Sequence, residues 1–349
     1  MKVKLAPTRL PPPLKPGDTV CAIAPSGSVR DRAVIEQGLA IWRERGFQVE
    51  FGSSWDATDG YLAGSDRQRR KDLSRAWRDP RYKAIVCVRG GYGCTRLLEG
   101  WSWELTESVP ESADEDDFDD FDLDSTFSND PDYVATRPKW LVGFSDVTAL
   151  LWSLAQVGVA SVHGPVLSTL AAEPDWSRDR LFEMLAGNLP APLEGSGWGN
   201  GQARGLLLPA NLIVASHLLR TPVEPPFQGA ILAFEEVAEA PYRIDRLLTH
   251  WRTSGALLGV RGIALGRFSR CEAPPGFPSW TVEEVLRDRL QDLEIPIVAD
   301  LPFGHDGANA SLLVGRPVVL DGDGGQLSFV EDARPSPTTA TGNSEEATT

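Results

Sequence analysis

The feature that most constrains the fold is the alternation of short apolar runs with helical patterns in the first half of the chain. Apolar runs at 19–24, 84–88 and 140–143 each lead into a turn containing Gly or Ser and then into a helical pattern. Strands and helices that alternate through short links predict a parallel sheet, because a parallel pair of strands needs a crossover connection. Ligands bind such sheets at the carboxyl ends of the strands. The sequence therefore predicts an α/β protein whose unusual turns share one sheet edge.

The periodicity of the apolar residues predicts two units. Residues 1–175 are expected to form an N-terminal, parallel-sheet (Rossmann-like) domain, 176–202 a linker region, and 203–332 a C-terminal mixed α/β domain. The expected strands are 19–24, 48–51, 84–88, 140–143, 160–163, 230–234, 261–265, 297–299, 312–314 and 318–320. The expected helices are 32–46, 65–78, 147–156, 211–219, 242–253 and 282–290.

The net charge of −15 is concentrated in one segment. Thirteen acidic residues and no Lys or Arg lie between Glu104 and Asp132, so the rest of the chain carries a net charge of only −2. Like charges at this density repel one another, which predicts a disordered insertion at about 102–135, and composition predicts a disordered tail at 333–349. The acids lack the spacing of a calcium loop. No Lys/Arg stripe interleaved with aromatic residues is present, which argues against a nucleic-acid partner.

Hydropathy and cysteine usage bear on the compartment. The sequence has no run of about 18 uncharged apolar residues and no apolar stretch near its start that could serve as a signal peptide. We therefore expect a cytoplasmic protein without a membrane partner. Four cysteines are scattered without CxxC spacing, and Cys21 and Cys87 lie in strand-like runs, so buried free thiols are predicted. No metal site or cofactor is predicted.

Ser145 follows the apolar run 140–143 with only Phe144 between them, in the segment GFSDV. A serine on a turn between a buried strand and a helix can present its hydroxyl at the sheet edge, with the next backbone N–H free for a developing oxyanion. The segment lacks the second Gly of the G-x-S-x-G motif, and helix capping by Ser145 or Asp146 explains the same residues. The local pattern leaves a nucleophile and a cap as alternatives.

A serine nucleophile needs a base. The chain has four histidines: His163, His217, His250 and His305. His217 and His250 lie within helical patterns, where packing is the ordinary role, and His163 ends a strand, where it could pack or contact a substrate. His305 lies in a glycine-rich loop between two strands and is the best candidate base, because functional residues concentrate on loops.

Two carboxylates could orient such a base. Glu235 and Glu236 follow the apolar run 230–234 at the end of a predicted strand. An imidazole partner is the functional interpretation of either residue, and a solvated acidic pair is the alternative. The sequence leaves the choice between them open.

The segment RGGYG, from Arg89 to Gly93, follows another apolar run and precedes a helical pattern. It lacks the third Gly of the dinucleotide-binding fingerprint, and no acidic residue ends a second strand at the usual distance. Gly90 and Gly91 can instead bring backbone N–H groups close to an oxyanion or a substrate carboxylate. A plain tight turn is the remaining interpretation.

Several segments together resemble the LD-carboxypeptidases, a family of serine peptidases. They follow the family's order over nearly the whole chain, and RGGYG with GFSDVTAL is the most specific combination. The segments are PGDTVCAIAPSG (16–27), YLAGSDRQRRKDL (61–73), VRGGYGCTRLL (88–98), VGFSDVTAL (142–150), HGP (163–165), ILAFEEVAEAPYRIDRLL (231–248) and the Gly304-His305 loop with NASLLVG (309–315).

The resemblance implies roles for individual residues. Ser145 is expected to be the nucleophile, His305 the base, and Glu235 the residue that orients the base. The family fold implies that the active site lies in the cleft between the two domains, with the serine on one domain and the other two residues on the second.

The resemblance also indicates which groups bind the negative charges of the reaction. The backbone N–H groups of Asp146 and of the Gly90-Gly91 turn are expected to bind the oxyanion. Arg89 and the nearby backbone N–H groups are the candidates for binding the terminal carboxylate of a peptide substrate.

The implied activity is a serine LD-carboxypeptidase without a cofactor, releasing D-alanine from murein tetrapeptide during peptidoglycan recycling. A cytoplasmic homodimer with a small peptide substrate is expected. Two alternatives stay open, namely an amide hydrolase of peptide–nucleotide toxins of the microcin C kind and a non-catalytic protein that binds an anion at the glycine turn.

Overall fold

The computed structural model describes residues 6–103, 138–276 and 278–330. Within these ranges the chain forms two sheets with helices packed against them, so the predicted α/β class is confirmed. Most of the acidic segment predicted at about 102–135, and the tail predicted at 333–349, lie outside the described residues.

The first sheet is built mainly from the first half of the chain. Numbered in chain order, its strands are β1 (Thr19–Ile23), β2 (Gln48–Phe51), β3 (Tyr82–Cys87), β4 (Trp140–Gly143), β5 (Val162–His163) and β12 (Leu312–Leu313). They lie in the order β12-β5-β4-β3-β1-β2, and all neighbouring pairs are parallel except β12 with β5. The predicted parallel sheet is confirmed for β1 to β5, whereas the antiparallel edge strand comes from the second half of the chain.

Three helices of this half lie where the apolar periodicity predicts them, namely α1 (Arg32–Glu44), α2 (Asp66–Arg78) and α4 (Thr148–Gln156). Three others were not among the helices expected from that periodicity, namely α3 (Cys94–Leu97), α5 (Leu167–Leu170) and α6 (Asp175–Leu185). The start of α2 is fixed by a capping box, in which the Ser65 hydroxyl accepts from Gln68 N–H and the Gln68 side chain accepts from Ser65 N–H. A capping side chain of this kind stabilises a helix by about 1 kcal/mol.

The second sheet is mixed. Its strands are β6 (Leu193–Glu194), β7 (Ser196–Gly197), β8 (Gln202–Asn211), β9 (Ala230–Val237), β10 (Gly262–Ser269), β11 (Ile297–Ala299), β13 (Pro317–Asp321) and β14 (Gln326–Phe329). They lie in the order β6-β14-β13-β8-β9-β10-β11-β7, with β8 to β11 parallel to one another. The helices of this half are α7 (Leu212–Leu218), α8 (Pro241–Thr253) and α9 (Val282–Leu290).

Three local expectations were wrong. β8 is a ten-residue central strand that was not predicted, and Pro209 within it pairs with Ala233 of β9. The strand expected at 160–163 is reduced to β5. The region 176–202, expected to be a linker, contains most of α6 as well as β6 and β7, which pair with the second sheet. The exact division into domains stays a prediction.

α4 joins the two halves. Every residue from Thr148 to Ala155 is buried, as expected for a helix that is apolar on all sides. Trp152 donates its indole N–H to the Pro209 carbonyl on β8 at 2.9 Å, and its ring meets the ring of Phe227 edge-on. One hydrophobic core therefore runs from α4 to β9 and ties together the elements on which the candidate site is built.

Two further sequence expectations bear on this core. All four cysteines are free and buried, as predicted. Each helix in the described ranges is too short or too polar to traverse a lipid bilayer.

Candidate active site

Ser145 begins a short 3₁₀ turn between β4 and α4 with a backbone φ of +63°. This left-handed conformation is unfavourable for a residue with a side chain, and it is typical of the sharp turn that exposes a nucleophile. Its neighbours Phe144, Asp146 and Val147 are buried, whereas Ser145 is partly exposed. Gly143 permits the turn, because a Cβ there would lie 2.8 Å from a Val147 methyl group.

His305 and Glu235 lie next to this serine and complete a hydrogen-bonded chain. His305 Nε2 is 3.1 Å from Ser145 Oγ, and His305 Nδ1 is 2.6 Å from Glu235 Oε2. Glu235 is completely buried near the end of β9, and the His305 side chain is 16% exposed. An ionised carboxylate can only accept a hydrogen bond, so this pairing places a proton on Nδ1 and leaves Nε2 able to accept the serine proton.

Glu235 and Glu236 lie on opposite faces of β9 and have different partners. Successive side chains point to opposite faces of a strand, and only Glu235 reaches His305. Glu236 accepts from Asn211 Nδ2 at 3.0 Å and from the backbone N–H groups of Ile213 at 2.8 Å and Val237 at 2.7 Å. Burial, together with the charge of Glu235, raises the pKa of Glu236 to about 7. Glu236 therefore stabilises the start of α7, on the face of β9 opposite to His305.

The loop that carries His305 is anchored by a side chain that sequence analysis did not single out. Gly304 N–H donates to Asn309 Oδ1 at 3.1 Å, and Asn309 N–H donates to Glu173 Oε2 at 2.8 Å. Gly304 has a φ of +136°, and a Cβ there would lie 2.9 Å from Arg267 Cβ. The only sequence signal for Asn309 was its place in the segment NASLLVG.

The remaining histidines do not join the chain of hydrogen bonds. His163 is completely buried behind Phe144, whose ring centroid lies 6.0 Å from that of His163 and 4.8 Å from that of His305. Burial lowers the pKa of His163 to about 3, so it stays neutral, and the charge of His305 acts in the same direction. His163 thus packs behind the site. His217 on α7 and His250 on α8 are exposed.

The glycine turn after β3 forms the wall beside Ser145. A Cβ on Gly90 would lie 3.1 Å from Ser145 Cβ and 3.2 Å from its Oγ, so a side chain at this position would press on the hydroxyl. Gly91 has a φ of +126° and packs against the backbone of Gly27. Arg89 is half-buried, and its Nη1 donates to the Ser28 carbonyl. The structure therefore brings the predicted turn and the predicted serine together.

Asp146 has a side-chain contact that sequence analysis missed. Its buried carboxylate accepts from Ser26 Oγ at 2.5 Å and from Cys94 N–H at 2.8 Å, while Ser26 Oγ lies 3.1 Å from Cys94 Sγ. Asp146 thereby ties the serine turn to the turns that follow β1 and β3. The Pro25-Ser-Gly turn was visible in the sequence, but its contact with Asp146 forms only because β1, β3 and β4 are neighbours in the sheet.

The geometry can support acyl transfer. It combines a partly exposed hydroxyl, an imidazole in contact with it, a buried carboxylate behind the imidazole, and a glycine turn against the hydroxyl. Serine hydrolases of unrelated folds use this constellation, which is recognised by geometry and not by residue order.

Comparison with known protein families gives two matches. The LD-carboxypeptidase N-terminal domain matches residues 20–113 and 126–164, and the LD-carboxypeptidase C-terminal domain matches residues 204–320. Together these matches cover most of the chain and fall on both of its sheets.

Relatives and solved structures agree with these matches. A Synechocystis sp. protein, provisionally named a carboxypeptidase, is 52% identical over 92% of this chain and 97% of its own length. The murein tetrapeptide carboxypeptidase of Pseudomonas aeruginosa is 29% identical over 87% of this chain and 93% of its own. The crystal structure of muramoyltetrapeptide carboxypeptidase from Oxalobacter formigenes superposes with a TM-score of 0.72 at 25% identity, covering 88% of this chain and 97% of that one.

Proposed function

We propose a specific reaction for this chain, which belongs to the LD-carboxypeptidase family and is a serine-type carboxypeptidase. The proposed reaction is release of the C-terminal D-alanine from murein tetrapeptide, as a step of peptidoglycan recycling in the cytoplasm. The observation that carries the proposal is the chain of hydrogen bonds from Ser145 through His305 to Glu235. The name of the Pseudomonas aeruginosa relative supports the choice of substrate.

In the first step Ser145 Oγ attacks the carbonyl carbon of the scissile bond while His305 Nε2 takes the hydroxyl proton. The imidazolium formed in this way lies against the Glu235 carboxylate, 2.6 Å from Nδ1. The tetrahedral adduct collapses when His305 returns the proton to the leaving amine. D-alanine departs, and the remaining peptide stays bound to Ser145 as an ester.

In the second step a water molecule attacks the ester. His305 now takes a proton from water and then gives it to Ser145 Oγ as the ester bond breaks. The trimmed peptide leaves with a new carboxylate, and the three residues return to their starting states. The reaction needs no oxidant, reductant or cofactor.

The negative charge of the tetrahedral adduct needs donors that are already in place. We assign this role to the backbone N–H groups of Asp146, the residue after Ser145, and of the Gly90-Gly91 turn, which packs against Ser145. The side-chain contacts of Asp146 with Ser26 and Cys94 tie the serine turn to the turns that follow β1 and β3.

A carboxypeptidase must also bind the carboxylate at the end of its substrate. We assign this role to Arg89, which immediately precedes the glycine turn and is half-buried. Its Nη1 donates to the Ser28 carbonyl, and a guanidinium offers five N–H donors, so other donors remain for the substrate.

A homodimer is proposed as the assembly, which size-exclusion chromatography with light scattering would test.

The experiment that tests the proposed function measures free D-alanine released from L-Ala-D-Glu-meso-diaminopimeloyl-D-Ala by the wild type and by Ser145→Ala. The matched control substrate is the pentapeptide that ends in D-Ala-D-Ala. Release from the tetrapeptide alone, lost in the variant, supports both the bond specificity and the nucleophile. No release from either peptide would reject the murein substrate and direct the search to peptide–nucleotide amides.

A further inference from the structure

The loop that carries His305 (304–309) has little backbone support of its own. It connects β11 to β12 and contains no helix or strand. Just outside it, Ala310 N–H donates to the Pro302 carbonyl at 2.8 Å, whereas residues 305–308 form no hydrogen bond with another backbone group of the described chain. The position of the imidazole therefore depends on the side chains that hold the ends of this loop.

Asn309 holds the two ends of the loop together. Its side-chain oxygen accepts from Gly304 N–H, in the residue directly before His305, at 3.1 Å. Asn309 is 2% exposed, so its own backbone N–H needs a partner within the protein. Glu173 supplies that partner, because its Oε2 accepts from Asn309 N–H at 2.8 Å.

Glu173 belongs to the half of the molecule that carries the serine. It lies between α5 and α6, which pack against the first sheet. At the start of α5, Ser168 N–H donates to the Val88 carbonyl at 2.9 Å, just after β3 and before the glycine turn. Glu173 thus links the loop of the base to the elements that surround Ser145.

The Glu173 carboxyl group is itself enclosed. Ser177 Oγ lies 2.8 Å from Glu173 Oε2 and 3.1 Å from the Asn309 carbonyl oxygen, so the three residues contact one another. Ser177 is completely buried, as is most of Glu173. Burial raises the pKa of Glu173, and the hydrogen bonds from Asn309 and Ser177 act in the opposite direction. A buried polar group whose partners are in place is rigid, and it can hold a backbone segment at a fixed distance.

We propose that Glu173 is a positioning residue for the base, which sets the distance between His305 Nε2 and Ser145 Oγ by holding Asn309. The inference rests on the proposed function, in which His305 takes the serine proton. The role depends on the reach of the Glu173 side chain and not on its charge. A shorter acid at this position should therefore be worse than an uncharged amide of the same length.

The test measures the maximal rate at which a fluorophosphonate labels Ser145. Glu173→Asp keeps the charge but is one methylene shorter, and it should slow labelling by about tenfold to a hundredfold, the loss expected when a reacting group is misplaced by about 1 Å. Glu173→Gln keeps the reach and an oxygen acceptor for Asn309 N–H, so its rate should stay within about threefold of the wild type. The probe concentration for half-maximal labelling should change less than about twofold in both variants, because the proposed role is in the chemical step and not in binding.

Proton NMR gives a signature that loss of stability alone does not change. The Nδ1 proton of His305, in a hydrogen bond of 2.6 Å to Glu235, should resonate far downfield of ordinary N–H protons. This resonance should shift or broaden in Glu173→Asp and keep its position in Glu173→Gln. Glu183→Asp is the matched control, because it makes the same change on an exposed carboxylate of α6 and should alter neither the resonance nor the labelling rate.

A second variant tests the route from Glu173 to His305. Asn309→Ala removes the acceptor for Gly304 N–H and should reproduce the slow labelling of Glu173→Asp. If both changes act through the same loop, the double variant should be little slower than either single variant. Losses that multiply in the double variant would overturn the proposal. Labelling of Glu173→Asp within about twofold of the wild type, or slower labelling of Glu173→Gln than of Glu173→Asp, would overturn it as well.

Failure of the proposed function is seen separately. In that case the wild type releases no D-alanine from either peptide, while the fluorophosphonate still labels Ser145 and the labelling rate still depends on the reach of residue 173.

Discussion

Replacing Glu235 by Gln is expected to lower kcat for D-alanine release on the order of 10³-fold while leaving KM close to the wild-type value. The carboxylate lies 2.6 Å from His305 Nδ1 and is completely buried. With about 4 Å between the centres of charge and an effective dielectric constant of about 20, the attraction to an imidazolium is about 4 kcal/mol, or roughly a thousandfold in rate. A glutamine amide can also donate to Nδ1, which would put the proton on Nε2 and add to the loss.

The assay is steady-state D-alanine release, together with the rate at which a fluorophosphonate labels Ser145. Glu236→Gln is the matched control, because it neutralises the adjacent buried carboxylate, which points to α7 and not to His305. It should cost less than about tenfold in kcat, since its contacts reach no group of the hydrogen-bonded chain. Thermal unfolding of both variants separates misfolding from lost chemistry. A loss below tenfold in Glu235→Gln, or equal losses in the two folded variants, would refute the assigned role.

Three further outcomes follow from the geometry. Ser145→Gly should be more stable than Ser145→Ala by about 1 kcal/mol in thermal or urea unfolding, reversing the usual order, because a φ of +63° disfavours any residue with a Cβ; a less stable glycine variant would contradict the turn geometry. Arg89→Ala should raise KM for peptides roughly tenfold or more in steady-state kinetics but change hydrolysis of an uncharged ester less than twofold, and equal losses would exclude a carboxylate-binding role. Burial raises the pKa of Glu236 from 4.5 to about 7, so the folded state holds the proton of this carboxyl more tightly than the unfolded state does. The free energy of unfolding should therefore fall by up to about 3 kcal/mol as pH rises from about 4.5 to 7. Urea titrations of Glu236→Gln over the same pH range should not show this fall.

The sequence was sufficient to predict the parallel first sheet and the residues that now lie around Ser145. Apolar periodicity is strong in β1, α1 and β4, and the loop position of His305 set it apart from three other histidines. The choice between Glu235 and Glu236 could not be made, because alternation along a strand says that the two differ in face but not which face meets the histidine.

Other features depended on contacts that are distant in sequence. β8 was missed because a proline within an apolar run argues against a central strand. In the structure the Pro209 carbonyl is paired with the indole of Trp152, which no local pattern reveals. The left-handed backbone of Ser145, and the clamp from Asp146 to Ser26 and Cys94, likewise arise only when β1, β3 and β4 lie side by side.

The crossing of β12 into the first sheet has a consequence for synthesis of the protein on the ribosome. β5 pairs with residues that are made about 150 positions later, so its outer edge stays open until Leu312–Leu313 has left the exit tunnel. His305 lies on the same late segment, between β11 in one sheet and β12 in the other. A nascent chain therefore contains Ser145 long before His305, the proposed base, has been made. Hydrolytic competence and closure of this edge of the first sheet should appear together, which would keep unfinished chains inactive.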